Sequence, residues 1–300
     1  VAGSFVYTPG LGTVLAAGLP TLSSTFTPTD TGDYATVITK VPLQVNASTI
    51  VWATPAAIVY GTPLSGTQLN ATANVPGSFV YTPPAGTVLT AGTQPLNVTF
   101  TPTDTVHYPT ATAKVNLLVS KATSIATWAA PATITYGTPL SGTQLNATAN
   151  VPGSFNYVPA SGTVLKTGSH TLSAAFTPSD TTDYTSASAK VTLQVLQTTT
   201  TTTITSGSPT VTLNLSGVAT ASVAYNVTSY KPMGAVTLTA STGEVCSGTV
   251  SPTTGNGTCK LTFTTTGTRT ILASYGGDTN HLGSDSSTQT PQVTVTVNPH

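Results

Sequence analysis

Repetition is the feature that most constrains this chain. The segment VAGSFVYTP, Val1 to Pro9, returns as VPGSFVYTP from Val75 and as VPGSFNYVP from Val151. FTPTDTGDY, ending at Tyr34, returns as FTPTDTVHY ending at Tyr108 and as FTPSDTTDY ending at Tyr184. YGTPLSGTQLNATANVPGSF from Tyr60 recurs unchanged from Tyr136. The period is 74 to 76 residues, so each repeat has the length of a small domain. Two complete repeats span 47–120 and 121–197. The copy at 1–46 lacks any counterpart of Trp52, Tyr60 or the stretch 68–73. Residues 198–300 leave the pattern and read as a fourth unit with a different sequence.

What each repeat folds into follows from residue type. The 300 residues include 68 threonines, 26 glycines and 22 prolines, and one residue each of Glu (Glu244), Met (Met233) and Arg (Arg269). Thr and Val are stiff at χ1 and suit pleated strands, Gly and Pro punctuate them, and strong helix formers are scarce. In the first full repeat, β-rich runs at 49–53, 57–60, 68–73, 78–82, 96–101 and 112–119 are bounded by Gly, Pro or Asn. Alternation is visible in Leu96, Val98 and Phe100 and in Val115, Leu117 and Val119. In the last unit the threonines 198–203 read as an opening strand rather than a tether. Further strands are expected at 210–215, 221–227, 235–240, 259–264 and 268–275, closed by Val293, Val295 and Val297. Six or seven short strands in such a length describe an all-β chain, a tandem array of small immunoglobulin-like β-sandwich domains. The spacing Asp30/Tyr34, Asp104/Tyr108 and Asp180/Tyr184, just before a long strand, predicts a tyrosine corner in which the phenol bonds back to upstream backbone.

Charge excludes some functions. Eight Lys and Arg balance eight Asp and Glu, and charged residues are only 5% of the chain. That leaves no basic face for nucleic acid. At 38% hydrophobic residues the chain is too apolar for a solvated disordered tail, and Thr, Ser, Gly, Pro or Asn interrupts every apolar run before it reaches the length of a membrane span. The chain opens at Val1 without a signal-peptide pattern and closes at His300 without a lipidation motif. The expectation is that processing removed such signals or that these residues belong to something longer.

YGTPLSGTQLNATA, VPGSFVYTPPAGTVL and FTPTDTVHY, followed by alternating V-x-L-x-V, resemble the MBG-type immunoglobulin-like repeats of large bacterial surface and secreted proteins. The last unit has TTTTTTITS, C-x-G-T-V at Cys246 to Val250, G-T-C-x-L-T-F at Gly257 to Phe263 and YGGDTNHLGS at Tyr275 to Ser284. It is similar to another group of bacterial immunoglobulin-like repeats. The two resemblances imply stalk, spacer or adhesin-body domains at the cell surface or outside the cell. One departure is that His281 and Leu282 stand where a tyrosine corner would place its Tyr. Cys246 and Cys259, the chain's two cysteines, flank a Gly- and Pro-rich connection that can bring them within bonding distance. The extracellular setting implied by the resemblance would preserve a disulfide, and two buried free thiols are the alternative.

Other chemistry is thinly represented. His107, His170 and His281 lie in three different units and His300 at the chain end, and all read as surface histidines. The pairs Asp30/Asp33, Asp180/Asp183 and Asp278/Asp285 hold too few carboxylates per loop for calcium, and turn capping is the simpler role. No catalytic residue, cofactor or metal is expected. Lys40, Lys114 and Lys190 occupy equivalent positions at the start of the last strand of each repeat. They read either as edge-strand lysines or, with Asn70 and Asn146 as partners and Asp104 or Asp180 as the acid, as an isopeptide cross-link. Sequons occur at Asn46, Asn70, Asn97, Asn146, Asn214, Asn226 and Asn256.

The functional expectation is a non-enzymatic stalk, fibre or filament segment. It associates with copies of itself or continues a longer chain, because a neutral surface lacks the repulsion that keeps proteins apart. The incomplete first repeat suggests that a neighbour donates the missing strands, as in donor-strand complementation. The alternatives are an adhesin module that grips carbohydrate or a host surface and an accessory part of a large secreted enzyme.

Overall fold

The computed structural model describes residues 1–45, 47–290 and 292–300, and every regular element among them is a β-strand. The chain divides into two compact units, Val1–Ser124 with Pro178–Ser186 and Ile125–Thr177 with Ala187–His300. These are tandem immunoglobulin-like β-sandwich folds, as the strand pattern predicts.

The first unit begins with a meander of β1 (Gly3–Thr8), β2 (Thr21–Pro28) and β3 (Val37–Pro42), all antiparallel. The register sets Phe5 opposite Phe26 and Phe26 opposite Val37, so alternate residues place Phe5, Tyr7, Leu22, Phe26, Val37 and Val41 on one face. No second sheet covers that face among the described residues, and β1 and β3 are exposed at every position.

The next six strands are β4 (Ile50–Val51), β5 (Ile58–Val59), β6 (Thr72–Ala73), β7 (Gly77–Thr82), β8 (Gly92–Pro102) and β9 (Ala111–Ser120). β7, β8 and β9 repeat the meander. β5 adds to it parallel to the end of β9, and β4 pairs with β6. The runs expected at 49–53, 57–60 and 68–73 shrink to two residues each. Pro55 and Pro63 have no N–H to donate, and a turn at Ser65 breaks the pairing. Gln68 makes that turn by accepting the backbone N–H and hydroxyl of Ser65, both at 3.1 Å. The turn aims Leu64 and Leu69 into a core with Leu96, Leu117 and Val119, rimmed by Trp52, Tyr60 and Tyr81. Gly77 is required beneath it, since a Cβ there would run into the Phe100 ring.

In the second unit, β10 (Ala126–Thr127), β11 (Ile134–Thr135), β12 (Thr148–Ala149), β13 (Gly153–Val158), β14 (Gly168–Pro178) and β15 (Ala187–Leu196) repeat this topology. Their core is Leu140, Leu145, Leu172, Leu193 and Val195. The last domain contains β16 (Thr201–Ile204), β17 (Thr210–Thr212), β18 (Ala219–Thr228), β19 (Ala235–Ala240), β20 (Val245–Thr249), β21 (Asn256–Phe263), β22 (Gly267–Tyr275), β23 (Ser284–Asp285) and β24 (Thr294–Asn298). β16-β18-β21 form one sheet. The other runs β17-β24-β22-β19-β20, with β23 beside β22. Tyr225, Phe263, Leu238, Leu261 and Tyr275 fill the space between. The expected opening strand starts at Thr201 rather than Thr198, because Thr198 is bonded instead to Asn280 and Leu282.

Candidate functional site

The arrangement that recurs is a joint, built once in each unit. In the first unit the segment 178–186 docks on the end of the sandwich formed by β4–β9. Its Asp183 carboxylate accepts the Ala91 N–H at 2.6 Å, and its backbone carbonyl accepts the Ala122 N–H at 2.8 Å. Thr185 N–H donates to Ala122 O at 3.0 Å, Lys121 Nζ donates to Thr181 O at 2.6 Å, and the Tyr184 ring meets Tyr60 edge-on at 5.4 Å. Burial and the neighbouring Asp183 charge push the Tyr60 phenol above its ordinary range.

In the second unit the loop 278–282 docks in the same way on β10–β15. Asn280 Oδ1 accepts the Thr167 N–H at 3.0 Å, its carbonyl accepts Thr198 N–H at 3.0 Å, and Leu282 N–H donates to Thr198 O at 2.9 Å. His281 meets Tyr136 edge-on at 5.2 Å, where Tyr184 meets Tyr60 in the other joint, and Tyr230 packs on Tyr136 as well. Gly137 lies so close to Tyr230 that a side chain there would collide with it.

His281 corrects the surface reading of the histidines, for it is only 1% exposed. Its Nδ1 lies 2.8 Å from both Asp278 carboxylate oxygens and its Nε2 2.8 Å from Tyr230 O. Burial would raise the Asp278 carboxyl, but the Asn280 N–H, His281 and Tyr275 outweigh it and hold it below its ordinary value. Burial, with the Asp278 charge added, pushes the Tyr275 phenol up to about 12. That hydroxyl donates to Met233 O at 2.6 Å.

The tyrosine-corner expectation is also corrected. Among the described residues no hydrogen bond involves the hydroxyls of Tyr34, Tyr108 or Tyr184. The aspartates hold their turns instead: Asp30 Oδ1 accepts from Gly32 and Asp33, Asp104 Oδ1 from Val106 and His107, and Asp180 Oδ1 from Thr182 and Asp183. Asp104 also pairs with His107 Nδ1 at 2.7 Å, and that bond holds its carboxyl below the ordinary value. The backbone-binding phenols lie elsewhere, Tyr81 accepting from Ala71 N–H at 3.0 Å and Tyr225 donating to Thr249 O at 3.2 Å.

Cys246 and Cys259 are bonded, with Cα atoms 6.0 Å apart, and the bond ties β20 in one sheet to β21 in the other. Lys40, Lys114, Lys190, Asn70 and Asn146 are exposed, so the buried setting that an isopeptide reaction needs is missing. Lys114 and Lys190 sit opposite Asn97 and Ser173 on strands whose other side is unpaired there, which suits edge protection. The sequon at Asn46 lies outside the described residues. Asn70, Asn97, Asn146, Asn214 and Asn256 are exposed, and Asn226 is half-buried with its amide bonded to Thr254 O and Asn256.

No protein-family model and no curated protein matches the chain. Solved structures similar to it include domains 1–6 of surface layer protein SbsC, at 13% identity over 93% of this chain and 45% of that one, with a TM-score of 0.28. Drosophila N-cadherin EC1-4 is similar at 10% identity over 93% and 83%, TM-score 0.30. The fibronectin(III)-like modules of Clostridium thermocellum CbhA are similar at 14% identity over 59% and 94%, TM-score 0.25. The chain thus spans under half the length of that structure of surface layer protein domains 1–6.

Sequence reasoning missed one buried cluster outright. Arg269 is buried, and its guanidinium donates to Thr242 Oγ1, Gly267 O and Thr265 while lying over the Phe263 ring. Glu244 is its ion-pair partner at 3.6 Å, and the Thr242 hydroxyl, then Arg269, hold the Glu244 carboxyl low. The scarcity of both residue types was the available signal. No group of three or more His, Cys, Asp or Glu that could hold a metal comes together among the described residues, and they contain no helix long and apolar enough to cross a membrane.

Proposed function

We propose that this chain is a non-enzymatic extracellular stretch of tandem immunoglobulin-like sandwiches that forms the body of a bacterial surface stalk or fibre. The observation that carries the reading is the recurring joint. Asp183 on Ala91 and Asn280 on Thr167 make the same side-chain-to-backbone bond although the segments that supply them differ in sequence. Specific bonds at successive joints limit bending, which is what a spacer needs and a free string of domains lacks. The resemblance to MBG-type repeats supports the setting, and the near absence of charge supports association with copies of itself or continuation in a longer chain. Strand donation to the uncovered first sheet belongs to the same reading.

Electron microscopy of the native material tests it. Rods or continuous filaments are expected, and dispersed compact particles would overturn the proposal. A second reading, an adhesin module, is favoured by one observation: a cleft of about 590 Å³ in the last domain, lined by Asn226, Tyr230, Lys231 and Pro252, with Tyr230 40% exposed. Glycan-array binding that is lost in Tyr230→Ser would select it.

A further inference from the structure

The cleft in the last domain has anchored walls and one unanswered charge. Its walls are the segment 229–232 after β18 and the loop 252–255 before β21. Asn226 ties the loop down, its amide donating to Thr254 O at 3.1 Å and to Asn256 Oδ1 at 2.7 Å, and Val227 N–H donates to Gly255 O at 2.8 Å. A Cβ at Gly255, whose φ is +72°, would run into Val227 O, so glycine lets the loop press against the strand. On the other wall the Tyr230 carbonyl lies 2.8 Å from His281 Nε2, and Pro232 is buried. A hollow of about 590 Å³ held open in this way has the size and preformed character of a small-ligand cleft.

Between these anchors stands Lys231, the one non-glycine residue with a left-handed backbone among the described residues, at φ 49°. Such conformations persist where the surroundings impose them, and they cluster at ligand clamps. Its ammonium makes no ion pair or hydrogen bond among the described residues and lies 5.4 Å from the centre of the Tyr230 ring. No Asp or Glu lines the cleft. The backbone N–H groups of Tyr230, Lys231, Thr253 and Thr254 also find no acceptor among the described residues. The cleft therefore offers a cation and free donors, and its complement carries negative charge and oxygen acceptors. The Tyr230 ring and Pro252 add apolar surface of the kind that packs on the C–H face of a sugar ring. A peptide has no strand to join, since β18 is paired on both sides there, Thr228 with Thr201 and Asn226 with Asn256.

We propose that this cleft binds a carboxylated saccharide, with Lys231 on the carboxylate, the Tyr230 ring and Pro252 against the sugar, and the free N–H groups on its hydroxyls. The proposal rests on the adhesin reading above and names the ligand class for that site. Because Lys231 is exposed, its share of the affinity is screened by salt.

Isothermal titration calorimetry on the full chain compares sialyllactose and digalacturonic acid with lactose and galactobiose, their uncharged counterparts. At low salt at least one acidic sugar is expected to bind about tenfold more tightly than its counterpart and to slow amide exchange in residues 226–231 and 253–255. Lys231→Gly removes the charge and suits the left-handed backbone, so the fold is not at stake, and it equalises the two affinities. Lys231→Arg keeps the preference. Equal binding of acidic and neutral sugars at the cleft overturns the proposal and leaves the adhesin reading standing. Competition by inorganic phosphate or hexaglutamate as strong as by the acidic sugar also overturns it, because any anion or an acidic peptide would then serve. Binding by neither acidic sugar overturns it as well, and the adhesin reading falls with it only if the glycan array is blank.

Discussion

The first and second repeats place nearly the same side chains on the same three strands and differ in what lies over them. Leu96, Phe100 and Leu117 are at 0% exposure, while their counterparts Leu22 and Phe26 are half-buried and Leu43 is exposed. The strands form and keep register in both, and the Phe5–Phe26 and Phe79–Phe100 ring pairs sit at the same 4.9 Å. Strand pairing is thus local to the meander. Burial, which supplies most of the stabilisation, depends on the 25-residue covering segment 49–73.

The largest test of that contrast is a pair of truncations. Leu96→Ala removes a fully buried side chain and is expected to destabilise the second sandwich by about 2–5 kcal/mol. Leu22→Ala at the equivalent position costs less than about 1 kcal/mol. Urea unfolding of the full chain with exchange readout separates them, and equal costs would break the comparison. The last domain closes its core differently, by tying one sheet to the other through Cys246 and Cys259. Reduction is expected to cost it about 3 kcal/mol. The loss should be confined to residues after Gln197 and leave the β1–β9 contrast unchanged.

A smaller effect comes from acid. Asp278 in the folded domain lies below its ordinary value of 3.8, so it binds fewer protons folded than unfolded. Its contribution is fully present above that ordinary value and is lost as pH falls through the folded one. Asp278→Asn should remove this part of the acid sensitivity and cost about 1.5–3 kcal/mol at neutral pH by breaking charged hydrogen bonds. Exchange at residues 278–282 reads both. The smallest test returns to the paired repeats: Tyr81→Phe strips the Ala71 N–H of its acceptor and costs about 1 kcal/mol, whereas Tyr7→Phe costs nothing measurable.

Much of this fold was legible because strand signals are local. The alternation at Leu96, Val98 and Phe100 marks β8, and the repeat itself transfers each assignment to its copies. The joints were not legible, since they depend on distant partners. Nothing in TTDY and TNHL says that Asp183 and Asn280 will accept backbone N–H groups far away in the chain, at Ala91 and Thr167. The tyrosine corner misled for a related reason: the Asp-x-x-x-Tyr spacing records the aspartate turn, and the phenol is left to pack, as Tyr184 does on Tyr60.

The central claim is that closely equivalent strands owe their different burial to the covering segment. Residue-resolved hydrogen exchange on the full chain compares amides 21–28 with amides 95–102 directly. The account predicts that the first set exchanges through local opening, at least about a hundredfold faster than the second. Matching protection in the two sets would contradict it.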